Sequence, residues 1–284
     1  MNSYYMLQDV RSNIGEGTGV HWTDREIMRK LNMAHRKAAN ILLSNPGDWL
    51  VTSGAFTPVD SVITLPYYVS KPVYLEETSS GYRIPINTTV RDRRLSRLPN
   101  TNLSDGELHA YMKEDAIVVN RDSYTTGVTL WYQRRVVDMV CGIGDTSSGA
   151  KSLIVPTGTG VNDMEPSVKD DYYNDLAFEV VVGTGIGDEY TIDDYDATTR
   201  NIITLTGTFG TDTEFGSVPQ VPEEGHDYMV LLATVTLLAK PSSALDPKYF
   251  DYFKALLRDA KKEFEEYASS RTSGSNRTRI TEMD

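Results

Sequence analysis

Two acidic runs hold the residues best suited to chemistry in this 284-residue sequence. Residues 170–175 read Asp-Asp-Tyr-Tyr-Asn-Asp, and residues 188–196 contain five carboxylates. Such runs bind Ca²⁺ when their oxygen ligands alternate as in an EF-hand loop, and neither run has that spacing. Asp and Asn side chains also bond to their own backbone in turns, so we predict turns in solvated loops. A calcium or glycan site built on these carboxylates is the alternative.

Other patterns typical of catalysis fail on spacing. The glycine run at residues 183–187 resembles part of a nucleotide-binding fingerprint, which requires a helix directly after it. Residues 190–192 have a strand pattern instead, so the run predicts a hairpin turn. The histidines lie too far apart along the chain for a zinc site, and the single cysteine has no disulfide partner. These residues are His21, His35, His109, His226 and Cys141. We therefore predict that the protein is not an enzyme and has no catalytic residue, cofactor or metal.

The negative charge of the chain is concentrated in one segment. Residues 151–245 carry 4 basic and 16 acidic residues, which accounts for the whole net charge of −12. Such a segment repels nucleic-acid phosphates, so sequence-specific DNA binding is not expected. The longest apolar run, at residues 229–239, is shorter than the roughly 18 residues of a membrane span. The N-terminus lacks the pattern of a secretory signal, so we expect no membrane association and folding in a cytoplasm.

The acidic runs lie in a β-rich segment with helical patterns on both sides. Thr23 and Glu26 have the spacing of a capping box, which predicts the start of a helix. Residues 227–240 are apolar on nearly all faces and predict a buried helix. Proline at position 247 and the apolar stripe that follows predict another helix through residue 267.

These patterns predict an α+β fold with a helical bundle core, made of the N-terminal helix and two C-terminal helices. Residues 1–150 form the N-terminal helix and a β-rich segment in this prediction, and residues 151–222 form an inserted, acidic, small antiparallel β barrel or sandwich. Residues 223–268 complete the helical core. Residues 269–284 have too little apolar content to offset their ordering entropy, so we expect a flexible, extended C-terminal arm.

Two stretches of the chain resemble the head-to-tail connector (adaptor or neck) proteins of tailed bacteriophages. The first joins residues 84–86, 116–119 and 128–135, and is similar to a strand pair that ends in a YYRRP-like signature; Val136 replaces the proline. The second spans residues 165–200 and looks like a virion β-module of the form DDYYN…GTGxG…I.DYD..TR. Its signature residues here are Asp170, Asp171, Tyr172, Tyr173, Gly183, Gly185, Asp194, Tyr195 and Asp196.

The resemblance implies a structural virion protein that is made in the host cytoplasm and acts in the neck. It implies a ring of twelve copies that docks on the portal protein, connects it to the next neck or tail component, and leaves a channel. DNA passes through that channel without sequence-specific binding. By the same resemblance the arm contacts the portal through Arg271, Arg277, Arg279 and Ile280. The rival interpretations are another neck or tail component and a host-attachment protein that binds calcium or glycans.

Overall fold

The chain folds into two compact units in the computed structural model. One unit joins Met1–Gly47 to Val136–Asp284, and the other is Asp48–Arg135. The structure describes residues 1–15, 21–45, 49–66, 68–87, 108–144, 152–156, 164–204, 207–239 and 247–280. Helices and antiparallel sheets both occur, so the predicted α+β class is confirmed.

The helices of the larger unit form where the sequence supplies caps and apolar faces. The described residues contain α1 (Ser3–Asn13), α2 (Asp24–Ser44), α3 (His226–Leu238) and α4 (Pro247–Ile280). Thr23 and Glu26 form the predicted capping box at the start of α2, each side chain bonding to the other's backbone N–H. Helix α3 is apolar on most faces and packs against α1, α2 and α4. The predicted helices beginning near residues 23, 227 and 247 are therefore all present.

One seven-stranded antiparallel sheet belongs to the same unit as the helices. Its strands are β9 (Cys141–Gly144), β10 (Ser152–Ile154), β11 (Ala177–Val182), β12 (Glu189–Thr191), β13 (Asp194–Asp196), β14 (Asn201–Ile203) and β15 (Glu214–Ser217). The strand order is β12-β11-β15-β9-β10-β14-β13. The Ile192 N–H donates to the Leu176 carbonyl (3.0 Å), and the Asp193 N–H donates to the Ile203 carbonyl (2.9 Å). The link between the two edge strands thus bonds to both ends of the sheet, so the sheet curls on itself.

The smaller unit is built from two four-stranded sheets. Its strands are β1 (Val51–Phe56), β2 (Val62–Thr64), β3 (Val69–Glu77), β4 (Arg83–Ile84), β5 (Ile86–Asn87), β6 (Ala110–Lys113), β7 (Ala116–Val119) and β8 (Val128–Arg134). One sheet has the order β1-β8-β3-β4 and the other β2-β7-β6-β5. Leu75, Ile84, Ile117, Val128 and Leu130 are fully buried in the core of this unit.

The structure places the domain boundaries elsewhere than predicted. The inserted unit is Asp48–Arg135, whereas the sequence predicts an insertion at residues 151–222. The predicted boundary at residue 150 cuts the large sheet, because β9 pairs with both β10 and β15. Short β runs between turns occur on both sides of residue 150, and only hydrogen bonding between distant strands shows which runs share a sheet.

Helix α4 corrects the prediction for the C-terminal arm. Its backbone is helical as far as Ile280, so residues 269–280 continue the helix and only residues 281–284 lie outside the described residues. Once a helix is nucleated, each added residue contributes one more hydrogen bond for one more fixed residue. The buried Phe253 and Phe264 anchor the preceding turns, and the weak helix formers beyond them extend that helix.

Helix α1 has no counterpart in the sequence prediction. Asn2 caps it by accepting a hydrogen bond from the Tyr5 N–H (3.1 Å), and its apolar face is buried. Arg11 at its end forms a buried ion pair with Asp24 at the start of α2. Breaking a buried pair leaves an uncompensated charge, so this contact fixes the two helices relative to each other.

Candidate functional site

Two tyrosines of the β-module signature are part of the core of the curled sheet. The Tyr173 and Tyr195 rings meet edge to face with centroids 4.7 Å apart, and both side chains are buried. Both hydroxyls bond to the backbone of Ser167: Tyr173 accepts from its N–H (3.0 Å) and Tyr195 donates to its carbonyl (2.7 Å). Tyr172 contacts Tyr173 edge to face at 5.0 Å. Burial raises the pKa of Tyr195 to about 12 and also raises the pKa of Tyr173, so these two hydroxyls stay neutral.

The aspartates of the signature hold turns at the surface. Asp170 accepts a hydrogen bond from the Ala197 N–H (2.9 Å). Asp196 accepts bonds from the Thr198 N–H (2.8 Å) and the Thr199 hydroxyl (2.7 Å), which lowers its pKa. The carboxylates therefore serve the turn that joins β13 to β14, as predicted for the acidic runs.

Asp171 and Asp194 approach each other beside that turn. Partial burial, and then a hydrogen bond with Asp171, raise the pKa of Asp194. The Asp171 N–H donates to the Tyr195 carbonyl, with a backbone φ of +61° at Asp171. Within the described part of the chain, no three His, Cys, Asp or Glu side chains gather closely enough to hold a metal ion.

The glycines of the signature form the predicted hairpin turn between β11 and β12. Gly183 and Gly185 have φ values of +84° and +86°, a region that side chains rarely adopt. A Cβ on Gly183 would lie 2.6 Å from the Asp212 carbonyl oxygen. Antiparallel pairing of the two flanking strands confirms the hairpin.

A buried polar seam joins helix α1 to the sheet. The Ser3 hydroxyl donates to the Val140 carbonyl (2.9 Å) and lies 3.2 Å from the Cys141 sulfur. The Ser217 hydroxyl accepts a bond from the Val140 N–H (2.8 Å). Burial raises the pKa of Cys141 to about 12, so the thiol is not a nucleophile at neutral pH. The seam is structural.

Two of the four histidines, His35 and His226, are buried. His35 Nε2 accepts a hydrogen bond from the Gln220 N–H (3.2 Å), and the Gln220 side chain accepts one from the Val137 N–H (2.7 Å). His226 bonds to the Val221 carbonyl (3.1 Å). Burial, and then the neighbouring His226, lower the pKa of His35 to about 4, so His35 is neutral near pH 7. Of the other two, His21 is exposed and His109 bonds to Asn120.

An acidic groove is open on the helical side of the larger unit. It has a volume of about 400 Å³ and lies between α1, α3 and α4. Its carboxylates come from all three helices and are Asp9, Asp227, Asp259 and Glu263. Its apolar lining comes from Val230, Leu231, Leu256 and Ala260. We name it the acidic groove.

Helix α4 is the most exposed element next to that groove. Tyr252 is 57% exposed and Tyr249 is 38% exposed, although Tyr249 also donates a hydrogen bond to the Asn13 carbonyl (2.7 Å). Only Phe253, Phe264 and Ala268 are buried among its described side chains. Its backbone continues for 12 residues beyond Ala268, about 18 Å at 1.5 Å per residue.

The residues predicted to contact the portal lie on this last part of α4. Arg271, Arg277, Arg279 and Ile280 all follow Ala268 and are part of the helical backbone. The structure does not bring them together with the signature residues, which belong to the sheet and its turns.

No known family model matches this chain, and no curated protein matches it either. None of the helices in the described part of the chain is long and apolar enough to span a membrane.

Sequence reasoning missed the acidic groove and the seam beneath α1. Asp9 lines the groove together with residues more than 200 positions later in the chain. Local spacing in the sequence cannot predict that these residues lie together. The one local signal was the all-apolar face of residues 227–240, which requires several helices to cover it.

Proposed function

We propose that this chain is a structural protein of a tailed-bacteriophage virion, the adaptor ring that joins the portal to the tail. One observation carries the proposal: α4 extends about 18 Å past the buried Ala268 and bears three arginines there. A helix that ends far from its own core is suited to binding another protein. Arginine suits that role because its planar guanidinium binds carboxylates in a bidentate manner and stacks on aromatic rings.

The helical side of the larger unit supports the same proposal. Helices α1, α2 and α4 each contact α3, and this packing supports the proposal because the resemblance implies a helical core. Leu231, Leu232 and Val235 of α3 are only half-buried within one copy. Apolar side chains left partly covered in this way favour contacts between copies in a ring, because each contact removes more apolar surface from water.

The signature residues have a different role in this proposal. Tyr173 and Tyr195 keep the β-module folded, and the surface turns carry its aspartates. A ring repeats those charges in every copy. Where they line the channel they repel DNA phosphates, so DNA passes without binding.

Light scattering with the purified portal of the same virus tests the proposal. The full chain is expected to form a stable complex with the portal, and a variant lacking residues 269–284 is expected to lose it. A variant lacking only residues 281–284 is the matched control, since it keeps all of α4, and it should still bind.

Failure of the folded full chain to bind the portal would contradict the position in the neck next to the portal. Binding that survives loss of residues 269–284 would contradict the role of the arm. The structure of the assembled ring tests the channel separately, through the positions of Asp170, Asp171, Asp193, Asp194 and Asp196. The channel proposal fails if all five face outward.

A further inference from the structure

The described residues of the chain neutralise only part of the charge in the acidic groove. Asp9, Asp227 and Glu263 come from three different helices, and Asp259 pairs with Arg258 at the surface (3.5 Å). Partial burial and the nearby charge of Asp227 raise the pKa of Asp9. Carboxylates brought together in this way repel one another, so a cationic partner would stabilise the groove.

The acidic groove also has an apolar lining. Val230 is 6% exposed, and Leu231, Leu256 and Ala260 are half-buried. An occupant that fits must therefore combine positive charge with some apolar surface. A helical or extended segment with arginines and one aliphatic residue meets that requirement.

The last part of α4 has that composition. Residues 269–280 contain three arginines, one isoleucine and no acidic residue. By contrast, the part of α4 that lines the groove is mixed in charge, with Lys261 and Lys262 paired to Glu265 and Glu266. The last turns of α4 are thus the purely basic part of that helix.

The basic segment cannot reach the groove of its own chain. Both lie on α4, and a helix rises 1.5 Å per residue. Arg271 is therefore about 12 Å along the axis from Glu263, and Arg279 is about 24 Å away. A continuous helix holds the two apart, so a segment of this kind in the groove must come from another molecule.

We infer that the acidic groove binds residues 271–280 of a second copy of this chain. Two different surfaces then meet, and each copy can both give an arm and receive one. Contacts of this head-to-tail type build closed rings or open filaments, depending on the rotation between copies. The inference goes beyond the proposed function, because it names the groove and the arm as the two surfaces that meet between copies. In the adaptor interpretation, a portal subunit has to compete with the groove for the arm.

Sedimentation of full-length variants with reversed charges tests this contact. The groove variant carries Asp259→Lys with Glu263→Lys, and the arm variant carries Arg271→Glu, Arg277→Glu and Arg279→Glu. The wild-type chain is expected to self-associate, and each variant alone should do so at least about tenfold more weakly. An equimolar mixture of the two variants should associate again, since the unchanged basic arm of the groove variant fits the unchanged acidic groove of the arm variant.

A matched control separates the groove from the overall charge. Glu265→Lys with Glu266→Lys makes the same change in charge on the same helix, outside the groove, and should leave self-association unchanged. Equal melting temperatures of all variants establish that they fold. A wild-type chain that stays monomeric, or a mixture that fails to associate, would overturn the inference. Portal binding is measured in a separate experiment. Failure of self-association would therefore not contradict the proposed portal contact, and failure of portal binding would not contradict the contact between copies.

Discussion

Two pairs of tyrosines show how differently this protein uses the same residue type. Tyr173 and Tyr195 are 2% and 0% exposed, and their hydroxyls bond to one backbone residue. Tyr249 and Tyr252 on α4 are 38% and 57% exposed. The first pair belongs to the signature that resembles a virion β-module. The second pair belongs to no motif.

The comparison separates what identifies a fold from what contacts a partner. Residues recognised in a signature are fixed here by packing and by turns, so they would be the same whatever the protein binds. The exposed side of α4 lies mostly outside the core, and it adjoins both the acidic groove and the basic segment. We therefore expect substitutions in the sheet to change stability and substitutions on α4 to change association.

The largest effect is expected from Tyr195→Ala. Removing this fully buried ring leaves a cavity and an unbonded Ser167 carbonyl, so the free energy of unfolding should fall by about 3–5 kcal/mol. Tyr252→Ala is the comparison variant, and its effect should stay within about 0.5 kcal/mol because the ring is mostly exposed. Urea denaturation of both variants measures the difference, and equal losses would contradict the division between the two regions.

The sequence predicts several of the local elements on which this division between sheet and helix rests. Local spacing predicts four features, because caps, apolar periods and glycines act over a few residues. They are the capping box of α2, the apolar α3, the start of α4 at residue 247 and the hairpin at residues 183–187. Helix α1 was missed, since its cap is one Asn side chain and its apolar face becomes evident only against the sheet.

The sequence does not predict how the helices and strands are arranged in three dimensions. Strands β9 and β15 pair although they lie about 70 positions apart. The sequence of a short strand does not indicate which strand it pairs with. The acidic groove likewise depends on helices from both ends of the chain. The exposure of α4 could not be predicted for a different reason. Its apolar stripe predicts burial, whereas only three of its described side chains are buried.

The second largest effect concerns pH and the buried His35. Its pKa is lowered to about 4 in the folded protein from an ordinary value of about 6.5, so the unfolded chain binds the proton more readily. The contribution to stability is complete above about pH 6.5 and is lost as the pH falls toward 4, by about 3 kcal/mol in all. Denaturation curves from pH 8 to pH 4 measure this loss.

His35→Gln is the control for that pH dependence. The Gln side chain can still accept a bond from the Gln220 N–H, but it does not titrate, so the loss between pH 6.5 and 4 should shrink. His226 also has a lowered pKa and keeps a smaller part of the effect. An unchanged profile in His35→Gln would assign the acid sensitivity to other groups.

Substitutions at two glycines test how closely the backbone packs at the hairpin between β11 and β12, and their expected effects on stability are smaller. Gly183 and Gly187 share nearly the same positive φ, but only at Gly183 would an added Cβ lie within 3 Å of a carbonyl oxygen. Gly187→Ala should cost about 1 kcal/mol for the backbone conformation alone. Gly183→Ala adds overpacking and should cost about 2–3 kcal/mol in total. Thermal unfolding of both variants measures the gap, and equal costs would show that the Asp212 backbone moves aside freely.

The smallest effect on stability is expected where the effect on function is largest. Replacing Arg271, Arg277 and Arg279 together by Ala should change the free energy of unfolding by less than about 0.5 kcal/mol, because these residues lie beyond the buried Ala268 on α4. The same variant should lose association with the portal and with other copies, measured by light scattering on matched samples. A stability loss comparable to that of Tyr195→Ala would place the arginines in the folding core. Unchanged stability together with unchanged association would leave the basic segment without a partner, and the contrast between sheet and helix would then hold for folding alone.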